Sequence, residues 1–297
     1  MPSRLSGQVA IVTGSGNGIG RAYAKALAGQ GASLVINDLG CDMTGRGASH
    51  EPADKVVEEI VEAGGKAVAN YEDVATWEGA GRIVQTAVKA FGRLDTIVCN
   101  AGADRRAWVL DLTPEDWERT LRIHLFGNID CALQVAKVMK EQGQGGAIIN
   151  ITSGSYYQGT LRLAPYVVSK GGIYSLMRSL SQELRQYNIS ANCISPGALT
   201  RATRAWVQSL ADVEKLPAEV VQARRDNFQE PEHMGPLAVF LASPEGRKIT
   251  GQVFGLTRDQ ATVLGLPTTG KVTYAKMEKF DLENIAAVMP KLVPMKS

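Results

Sequence analysis

Near its N-terminus the chain reads Val9-Ala10-Ile11-Val12-Thr13-Gly14-Ser15-Gly16-Asn17-Gly18-Ile19-Gly20, an apolar run followed by a glycine-rich segment. The apolar run predicts a buried strand, and residues 18–30 have the spacing of a helix that ends at Gly31. Glycines let a backbone approach a pyrophosphate closely, and a helix start offers unpaired N–H groups and a positive dipole end. This order of elements predicts a dinucleotide site, although the glycine string alone is equally typical of an ordinary tight turn.

Short apolar runs alternate with longer amphipathic stretches along the rest of the chain, which is typical of βαβ units. Because the apolar runs are continuous, we expect a parallel sheet covered on both faces. The predicted class is α/β: a doubly wound Rossmann fold with a single parallel sheet of about seven strands and helices on both faces. Strands are predicted at residues 9–12, 34–36, 66–71, 94–98, 147–151, 189–194 and 252–254. Helices are predicted at 18–30, after Pro52, and at 77–91, 114–142, 165–186 and 232–242, with a polar, irregular segment at 199–230.

We expect one dinucleotide-binding and catalytic domain over residues 1–255, with a substrate lid at about 199–230, since the sequence shows neither a repeat nor a linker. Residues 256–297 are expected to form a C-terminal extension. Its apolar residues at helical spacing predict packing on the domain or on a neighbouring subunit rather than disorder. These residues are Ile285, Ala286, Val288 and Met289.

The composition argues against several classes of partner. A formal net charge of +2 over 297 residues leaves no basic excess for nucleic acid. The four cysteines (Cys41, Cys99, Cys131 and Cys193) lack metal-type spacing, so no bound metal is expected, and Cys99 and Cys193 are expected to be buried thiols. The chain starts without the apolar core of a signal peptide, and no run is long enough to span a bilayer, so we expect a cytoplasmic location without membrane contact.

Asp38 follows the second predicted strand, roughly 20 residues after the glycines. A carboxylate at this place can accept hydrogen bonds from both ribose hydroxyls and would repel a 2′-phosphate. No arginine neighbours it in the sequence, so NAD is favoured over NADP as the cofactor. The alternative is an aspartate that serves only the turn before Gly40.

Tyr166 and Lys170 are one turn apart on a predicted helix. Oxidising an alcohol needs a base for the hydroxyl proton and an acceptor for the carbinol hydride. A tyrosinate can be that base only if its pKa falls from about 10 towards neutrality, and a lysine one turn away would lower it together with an oxidised nicotinamide. Ser153 follows the fifth predicted strand, where its hydroxyl can bond the substrate oxygen, although a serine in such a place is usually a loop or cap residue.

Several landmarks in order make residues 6–255 resemble the short-chain dehydrogenase/reductase family. Besides the glycine-rich turn they are Asp73-Val74, Asn100-Ala101-Gly102, Ser153, Tyr166 with Lys170, and Pro196-Gly197. Asn37-Asp38-Leu39-Gly40 and His124-Leu125-Phe126-Gly127 further resemble the 3-hydroxyacyl-CoA dehydrogenase part of peroxisomal-type multifunctional enzymes. No hydratase part follows in this sequence, so we expect the dehydrogenase part alone.

The resemblance implies that Ser153, Tyr166 and Lys170 are catalytic and that Lys170 also binds the nicotinamide ribose. Asn100 is expected to tie strands together beside the cofactor, and Thr200 to bond the nicotinamide carboxamide, although its offset from Pro196 is one residue shorter than in many relatives. The full set of implied cofactor contacts is Gly14, Gly16, Asn17, Gly18, Ile19, Gly20, Asp38, Asp73, Val74, Asn100, Ala101, Gly102, Ile151, Tyr166, Lys170, Pro196, Gly197 and Thr200.

His124 stands where the family often has an asparagine that holds a water between the lysine and solvent, and we include it among the catalytic candidates. A histidine can hold that water or carry the proton itself. The alternative is a core histidine bonded to a backbone carbonyl. We do not expect it to bind a metal, because His50 and His233 lie in unrelated elements.

Tyr156 and Tyr157 lie in the segment that walls the substrate site in this fold, and Trp206 lies in the lid segment. Aromatic residues there are as often core as ligand contacts, but together with Ser153 they are our substrate-binding candidates and favour an apolar substrate. The expected function is NAD-dependent interconversion of a secondary alcohol and a ketone on a hydrophobic substrate of the 3-hydroxyacyl-CoA, steroid or terpenoid type. One alternative is an NADPH-dependent 3-oxoacyl carrier-protein reductase, against which Asp38 argues. Another is a non-catalytic dinucleotide-binding regulator, which would not need the catalytic residues.

The predicted helices at 114–142 and 165–186 carry apolar residues around much of their circumference. One face of each covers the sheet, and the other would be exposed in a monomer. The family pairs these helices across a two-fold axis, so we expect a homotetramer or a homodimer.

Overall fold

One mixed sheet forms the centre of the molecule. The computed structural model describes residues 3–257, 260–264, 273–276, 279 and 281–292. Nine strands in this part of the chain lie in the order β3-β2-β1-β4-β5-β6-β7-β8-β9, of which β1 to β7 are parallel and β8 and β9 antiparallel. They are β1 (Val9–Thr13), β2 (Ser33–Asn37), β3 (Lys66–Asn70), β4 (Thr96–Cys99), β5 (Gly146–Ile151), β6 (Ile189–Pro196), β7 (Val253–Thr257), β8 (Gln260–Val263) and β9 (Thr273–Lys276).

Helices cover both faces of this sheet. Their bounds are α1 (Gly18–Gly29), α2 (Glu51–Glu62), α3 (Trp77–Phe91), α4 (Pro114–Leu121), α5 (Gly127–Gln142), α6 (Ser155–Gln158), α7 (Ala164–Glu183), α8 (Arg201–Glu214), α9 (Ala218–Arg225), α10 (Gly235–Ala242) and α11 (Leu282–Leu292). The core on one face contains α1, α2, α10 and α11, and the core on the other contains α3, α5 and α7. Every residue of β1, β4 and β5 is buried, as continuous apolar strands require. The predicted doubly wound α/β fold is confirmed.

The strand order places a crevice at the carboxyl ends of β1 and β4, because the chain leaves these neighbouring strands towards opposite faces. Ligands of open α/β sheets bind at such a switch point. The glycine-rich turn follows β1, Asp38 follows β2, and Asn100 follows β4, so all three lie at this edge of the sheet.

The helix predicted over residues 114–142 is present and contains an irregularity. Thr113 caps it, with its hydroxyl accepting from the N–H of Asp116 and its own N–H bonded to the Asp116 carboxylate. Between α4 and α5 the helix widens into a π-helical turn over Arg122–Phe126, which contains His124. Nδ2 of Asn128 donates to O of His124 at 2.7 Å. The turn is thus tied to the following helix by a side chain.

The prediction of an irregular segment at residues 199–230 is wrong, because α8 and α9 lie there. These helices carry many charged residues, which hid their helical pattern. Their apolar residues meet each other in a small separate core rather than the main ones. This core consists of Val207, Ala211 and Val221, with Trp206, Leu216 and Phe228 packed against it.

The strand predicted at 252–254 is present as β7, but it is not the last one, because β8 and β9 extend the sheet. Both added strands have four residues, too short for a clear alternating pattern. In the C-terminal extension, α11 packs against the core beside α10 and buries Ile285 and Met289 completely. The rest of the extension (258–259, 265–272, 277–278, 280 and 293–297) lies outside the described residues.

Two further observations concern the cysteines and membrane-spanning helices. Cys99 and Cys193 are buried free thiols, as predicted. Within the described residues, no helix combines the length and the apolar character that crossing a bilayer requires.

Candidate active site

The turn between β1 and α1 leaves no room for a side chain at Gly16 or Gly20. A Cβ at Gly16 would lie 2.6 Å from Cβ of Pro52 and 2.8 Å from Oδ2 of Asp38. A Cβ at Gly20 would lie 2.1 Å from O of Gly14. The glycines are therefore required by the close approach of backbone and neighbouring groups, which is the geometry of a phosphate-binding turn.

The start of α1 faces the crevice with its first N–H groups. Asn17 precedes the helix and makes no side-chain cap hydrogen bond, and Gly18 has a φ of +53° that favours glycine. Cγ2 of Thr200 would be 3.7 Å from a Cβ at Gly18, so the start of the lid lies beside the turn. A helix N-terminus without a side-chain cap suits an anion, and these residues fit the pyrophosphate of a dinucleotide.

Asp38 braces the glycine turn. Its Oδ2 accepts from the N–H of Gly16 at 2.7 Å, and its Oδ1 accepts from the N–H of Gly40 at 2.8 Å. Each carboxylate oxygen can accept a second hydrogen bond. Asp38 therefore stabilises the turn before Gly40, which is the alternative role named above. Its carboxylate oxygens can still accept hydrogen bonds from a ribose.

Asn100 ties β4 to β1, as we expected. Its Nδ2 donates to O of Thr13 at 3.1 Å and to O of Gly14 at 2.9 Å, and its own N–H donates to Oγ1 of Thr13 at 3.0 Å. These bonds fix the glycine turn against the neighbouring strand.

The remaining predicted cofactor residues follow the carboxyl ends of other strands. Asp73 and Val74 follow β3, Ala101 and Gly102 follow β4, and Pro196 and Gly197 end and follow β6. A Cβ at Gly102 would lie 2.3 Å from Cε1 of His124, so the backbone after β4 runs directly against that ring.

Ser153, Tyr166 and Lys170 come together beside the end of β5. Nζ of Lys170 lies 5.3 Å from the ring centroid of Tyr166 and donates to O of Ile151 at 2.7 Å. The Ser153 hydroxyl is hydrogen-bonded with Tyr166 and also accepts from Oγ of Ser155 at 3.0 Å. The i, i+4 spacing on α7 and the strand end thus bring the three side chains to one place.

Burial dominates the electrostatics of the two ionisable groups. It raises the pKa of Tyr166 to about 12, while the hydrogen bond with Ser153 acts in the opposite direction. Burial lowers the pKa of Lys170 to about 8. In the protein alone the pKa of Tyr166 is therefore raised, because desolvation, with a smaller contribution from the Asp104 charge, outweighs the hydrogen bond with Ser153. The expected lowering by Lys170 together with an oxidised nicotinamide stays a prediction.

His124 lies edge-on to Tyr166, with ring centroids 5.2 Å apart. Its Nε2 is 2.6 Å from O and 3.0 Å from N of Ala103. Burial, with a smaller contribution from the Lys170 charge, lowers the pKa of His124 to about 3. Its Nδ1 has no partner among the described residues. The ring is therefore neutral, bonded to backbone and in contact with the candidate base.

A family model described as enoyl-(acyl carrier protein) reductase matches residues 14–256. The chain belongs to the short-chain dehydrogenase/reductase family. The predicted family is confirmed.

This dehydrogenase/reductase is 38% identical over 238 residues to a short-chain type dehydrogenase/reductase of Mycobacterium tuberculosis, a match that covers 80% of this chain and 78% of that protein. It is 39% identical over 240 residues to peroxisomal multifunctional enzyme type 2 of Mus musculus, covering 81% of this chain but 30% of the mouse protein. The crystal structure of a short chain dehydrogenase from Mycobacterium avium has a TM-score of 0.72 and 31% identity, and the match covers 99% of this chain and 97% of that one.

The predicted substrate residues lie in different surroundings in this dehydrogenase/reductase. Tyr156 stacks on Tyr174 of α7 with ring centroids 5.0 Å apart, and burial raises its pKa to about 12. Tyr157 is 48% exposed. Trp206 packs edge-on to Phe228 inside the lid, with ring centroids 6.2 Å apart. The geometry thus brings Trp206 to the lid core rather than to Ser153.

The sequence pattern did not assign two segments to the site. The first is the strap, residues 39–49, whose tip reaches across the crevice: O of Met43 accepts from the N–H of Asp104 at 2.7 Å. The second is the connecting segment, residues 103–107, which follows β4. The sequence indicates a loop at residues 40–52, and its length, beyond the 2–6 residues common for such connections, is the signal that could have assigned the strap to the site. No sequence pattern predicts the contacts of the connecting segment.

Proposed function

We propose that the protein is an NAD-dependent oxidoreductase that interconverts a secondary alcohol and a ketone on a hydrophobic substrate. The observation that carries this proposal is the meeting of Ser153, Tyr166 and Lys170 beside a glycine turn that fits a pyrophosphate. A regulator that only senses a dinucleotide would not need a proton-transfer set.

Each of the three side chains has a distinct task in the proposed reaction. A bound oxidised nicotinamide supplies the acceptor for the carbinol hydride. Oη of Tyr166 takes the hydroxyl proton, and the Ser153 hydroxyl donates to the substrate oxygen. Lys170 holds its ammonium beside the phenol and binds the nicotinamide ribose, and its pKa of about 8 keeps it largely protonated at neutral pH. Positive charge beside Tyr166 is needed, because burial alone raises its pKa to about 12.

The preference for NAD rests on Asp38. Its carboxylate sits against the glycine turn and keeps acceptors for a ribose diol, while a 2′-phosphate beside it would meet like charge. The other proposed cofactor contacts are those named after the resemblance, and the described part of the chain keeps them at one edge of the sheet. We propose no metal.

We propose a substrate of the 3-hydroxyacyl-CoA, steroid or terpenoid type. Similarity to a part of mouse peroxisomal multifunctional enzyme type 2 supports the first of these, and the aromatic residues Tyr156 and Tyr157, which follow Ser153, support an apolar ligand. The second candidate is an NADPH-dependent 3-oxoacyl carrier-protein reductase, which the match to an enoyl-(acyl carrier protein) reductase family model favours and Asp38 opposes.

His124 is proposed to support the proton path from Lys170 to solvent. Its contact with Tyr166 and the proximity of the Lys170 charge support this role. His124→Ala should lower kcat for alcohol oxidation, and His124→Asn should restore much of it. The role is wrong if both variants turn over alike and near the wild-type rate.

We propose a homotetramer or a homodimer in a reducing compartment, the cytoplasm. Exposed apolar side chains around α5 and α7 support self-association. They are Phe126 (41% exposed), Leu133 (37%) and Val168 (50%). Light scattering at micromolar concentration should give more than one chain per particle, and imaging of the tagged protein should show a cytoplasmic distribution.

A panel of secondary alcohols tests the activity, with NAD or NADP and the appearance of reduced dinucleotide as the readout. The proposal expects NADH from hydroxyacyl thioesters or cyclic alcohols. NADPH oxidation with 3-oxoacyl carrier protein alone would favour the second candidate. Tight dinucleotide binding without turnover of any alcohol or ketone would favour a regulator.

A further inference from the structure

The lid of residues 199–230 is joined to the body at its two ends by a short hinge. The N–H of Leu199 donates to O of Gln229, and the N–H of Gln229 donates to O of Gly197. Since the ends meet, α8 and α9 with their own small core can move as one body about this hinge. The position of the lid against the body therefore depends on contacts away from the hinge.

Two arginines outside the lid donate to α8. Nη2 of Arg106 donates to O of Ala202 at 2.9 Å, and Nη1 of Arg162 donates to Oγ of Ser209 at 3.0 Å. Both arginines are linked to the connecting segment. Arg106 belongs to it, and O of Arg162 accepts from the N–H of Ala107 at 3.1 Å. Arg162 has a φ of +64°, an uncommon conformation for a residue with a side chain, so its place is imposed by its surroundings.

The connecting segment also contacts the strap and the π-helical turn that contains His124. Asp104 donates its N–H to O of Met43 in the strap and pairs its carboxylate with Arg106. The neighbouring Ala103 contacts Nε2 of His124 through its N and O. The Asp104–Arg106 pair is well covered, with side chains 16% and 17% exposed. A covered, charge-assisted pair is stronger than a solvated one, and this pair is hydrogen-bonded to the strap through Asp104 and to the lid through Arg106.

The strap begins after β2 and its tip is bonded to Asp104 beyond β4, so it spans the end of β1, where a dinucleotide would bind. Asp42 organises its tip by accepting from the N–H of Thr44 and of Arg46 on one carboxylate oxygen. The tip rests on Arg119 of α4, which donates to O of Gly45. A dinucleotide bound beneath the strap would therefore contact a structured loop that has a direct hydrogen bond to Asp104.

We propose that Asp104 and Arg106 couple the strap to the lid, so that a dinucleotide bound under the strap holds the substrate lid closed. The proposal rests on the proposed dinucleotide site. Arg106 acts here as a positioning residue, through Ala202, and takes no part in the chemistry. Because coupling between two sites is reciprocal, closing the lid on a substrate tightens dinucleotide binding in turn.

Hydrogen–deuterium exchange with NADH as the probe tests this coupling. NADH binding is first measured by fluorescence for each variant, so a failure to bind, which would overturn the proposed function, is separate from a failure to couple. In the wild type, NADH should slow exchange in the strap and in α8. In Arg106→Met, the strap should still be protected, while protection of α8 should fall at least about threefold. Ser209→Ala, which removes the second tie, should lower it less.

Arg105→Met is the matched control, because the 46% exposed Arg105 pairs with Asp116 and makes no hydrogen bond or ion pair with the lid within the described residues. It should leave the protection of α8 as in the wild type. If Arg106→Met fails to fold because Asp104 loses its partner, the double variant Asp104→Asn/Arg106→Met replaces it. Full protection of α8 in the Arg106 variants, or protection of the strap alone in the wild type, would overturn the coupling.

Discussion

The two halves of the site are built from different parts of the chain. The dinucleotide half is mostly main chain: glycines without room for a Cβ, and carboxylate and amide side chains that bond backbone groups. The substrate half is mostly side chains: Ser153, Tyr166, Lys170 and the stacked tyrosines. Main-chain geometry tolerates few residue types, whereas a pocket of side chains can be lined in many ways. The glycine turn therefore tolerates few substitutions, whereas the tyrosines of the second half could be replaced by other side chains without loss of the three catalytic candidates.

Tyr166→Phe should separate the two halves most strongly. The change removes the proton acceptor but keeps the ring, so kcat should fall about 10²–10⁴-fold while NADH binding stays within about threefold. Steady-state kinetics and fluorescence titration measure the two effects. Tyr187→Phe, outside the site, is the control and should behave as wild type. A Tyr166→Phe enzyme with more than about a hundredth of the wild-type kcat would contradict the assigned role.

Asp38→Ala should change the cofactor preference of the dinucleotide half, because it removes a charged side chain. Without the carboxylate the ribose diol loses its acceptors and a 2′-phosphate loses a repelling charge, so the NAD-to-NADP ratio of kcat/KM should fall about thirtyfold. Asp111→Ala, at an exposed position, is the control. An unchanged ratio in Asp38→Ala would show that other groups select the cofactor.

His124 offers a stability test at the border of the two halves. Its pKa is about 3 in the folded protein against 6.5 when unfolded, so below pH 6.5 the unfolded chain binds the extra proton. This contribution to stability is present above pH 6.5 and is lost as the pH falls towards 3. Between pH 7 and pH 5 it amounts to about 2 kcal/mol of unfolding free energy.

His124→Asn should remove that part of the pH dependence, which urea unfolding at the two pH values measures. The comparison uses the difference between the two pH values, so a constant loss of stability in the variant does not affect it. His233→Asn, at an exposed position, is the control. An equal decline in the His124 variant and the wild type would mean that the ring is not buried neutral.

A pair of glycine variants tests whether the first half depends on its backbone. Gly16→Ala should weaken NADH binding about tenfold, because the new Cβ meets Pro52 and Asp38 and must displace the turn. Gly29→Ala, where a Cβ would meet nothing within 4 Å, should leave binding unchanged. Equal affinities for the two variants, measured by fluorescence titration, would remove the distinction between the halves.

The contrast between local spacing and contacts of distant residues explains which features could be predicted from the sequence. The βαβ order, the glycine turn and the i, i+4 pair Tyr166–Lys170 depend on local spacing, and the structure has each of them. The lid helices were missed because α8 and α9 bury little outside their own core, and β8 and β9 because four residues carry too short a pattern. The bond from Arg106 to Ala202 joins residues 96 positions apart, and the strap meets Asp104 through backbone atoms. No local pattern records such contacts.

The π-helical turn at Arg122–Phe126 has a consequence for insertions and deletions in this chain. A π-helical turn holds one residue more than an α-helical turn, so losing a single codon here could leave an unbroken α-helix. Because the wide turn already accommodates the additional residue, α4 and α5 would keep their facing, whereas losing one residue elsewhere in α5 would rotate the rest of that helix by about 100°. Cys131 and Val135 would then stay in the core, and the change would fall on the turn itself, where His124 contacts Tyr166 and Ala103. Regularising this helix would therefore cost the site rather than the packing, so we expect the extra residue to be retained wherever His124 is in use.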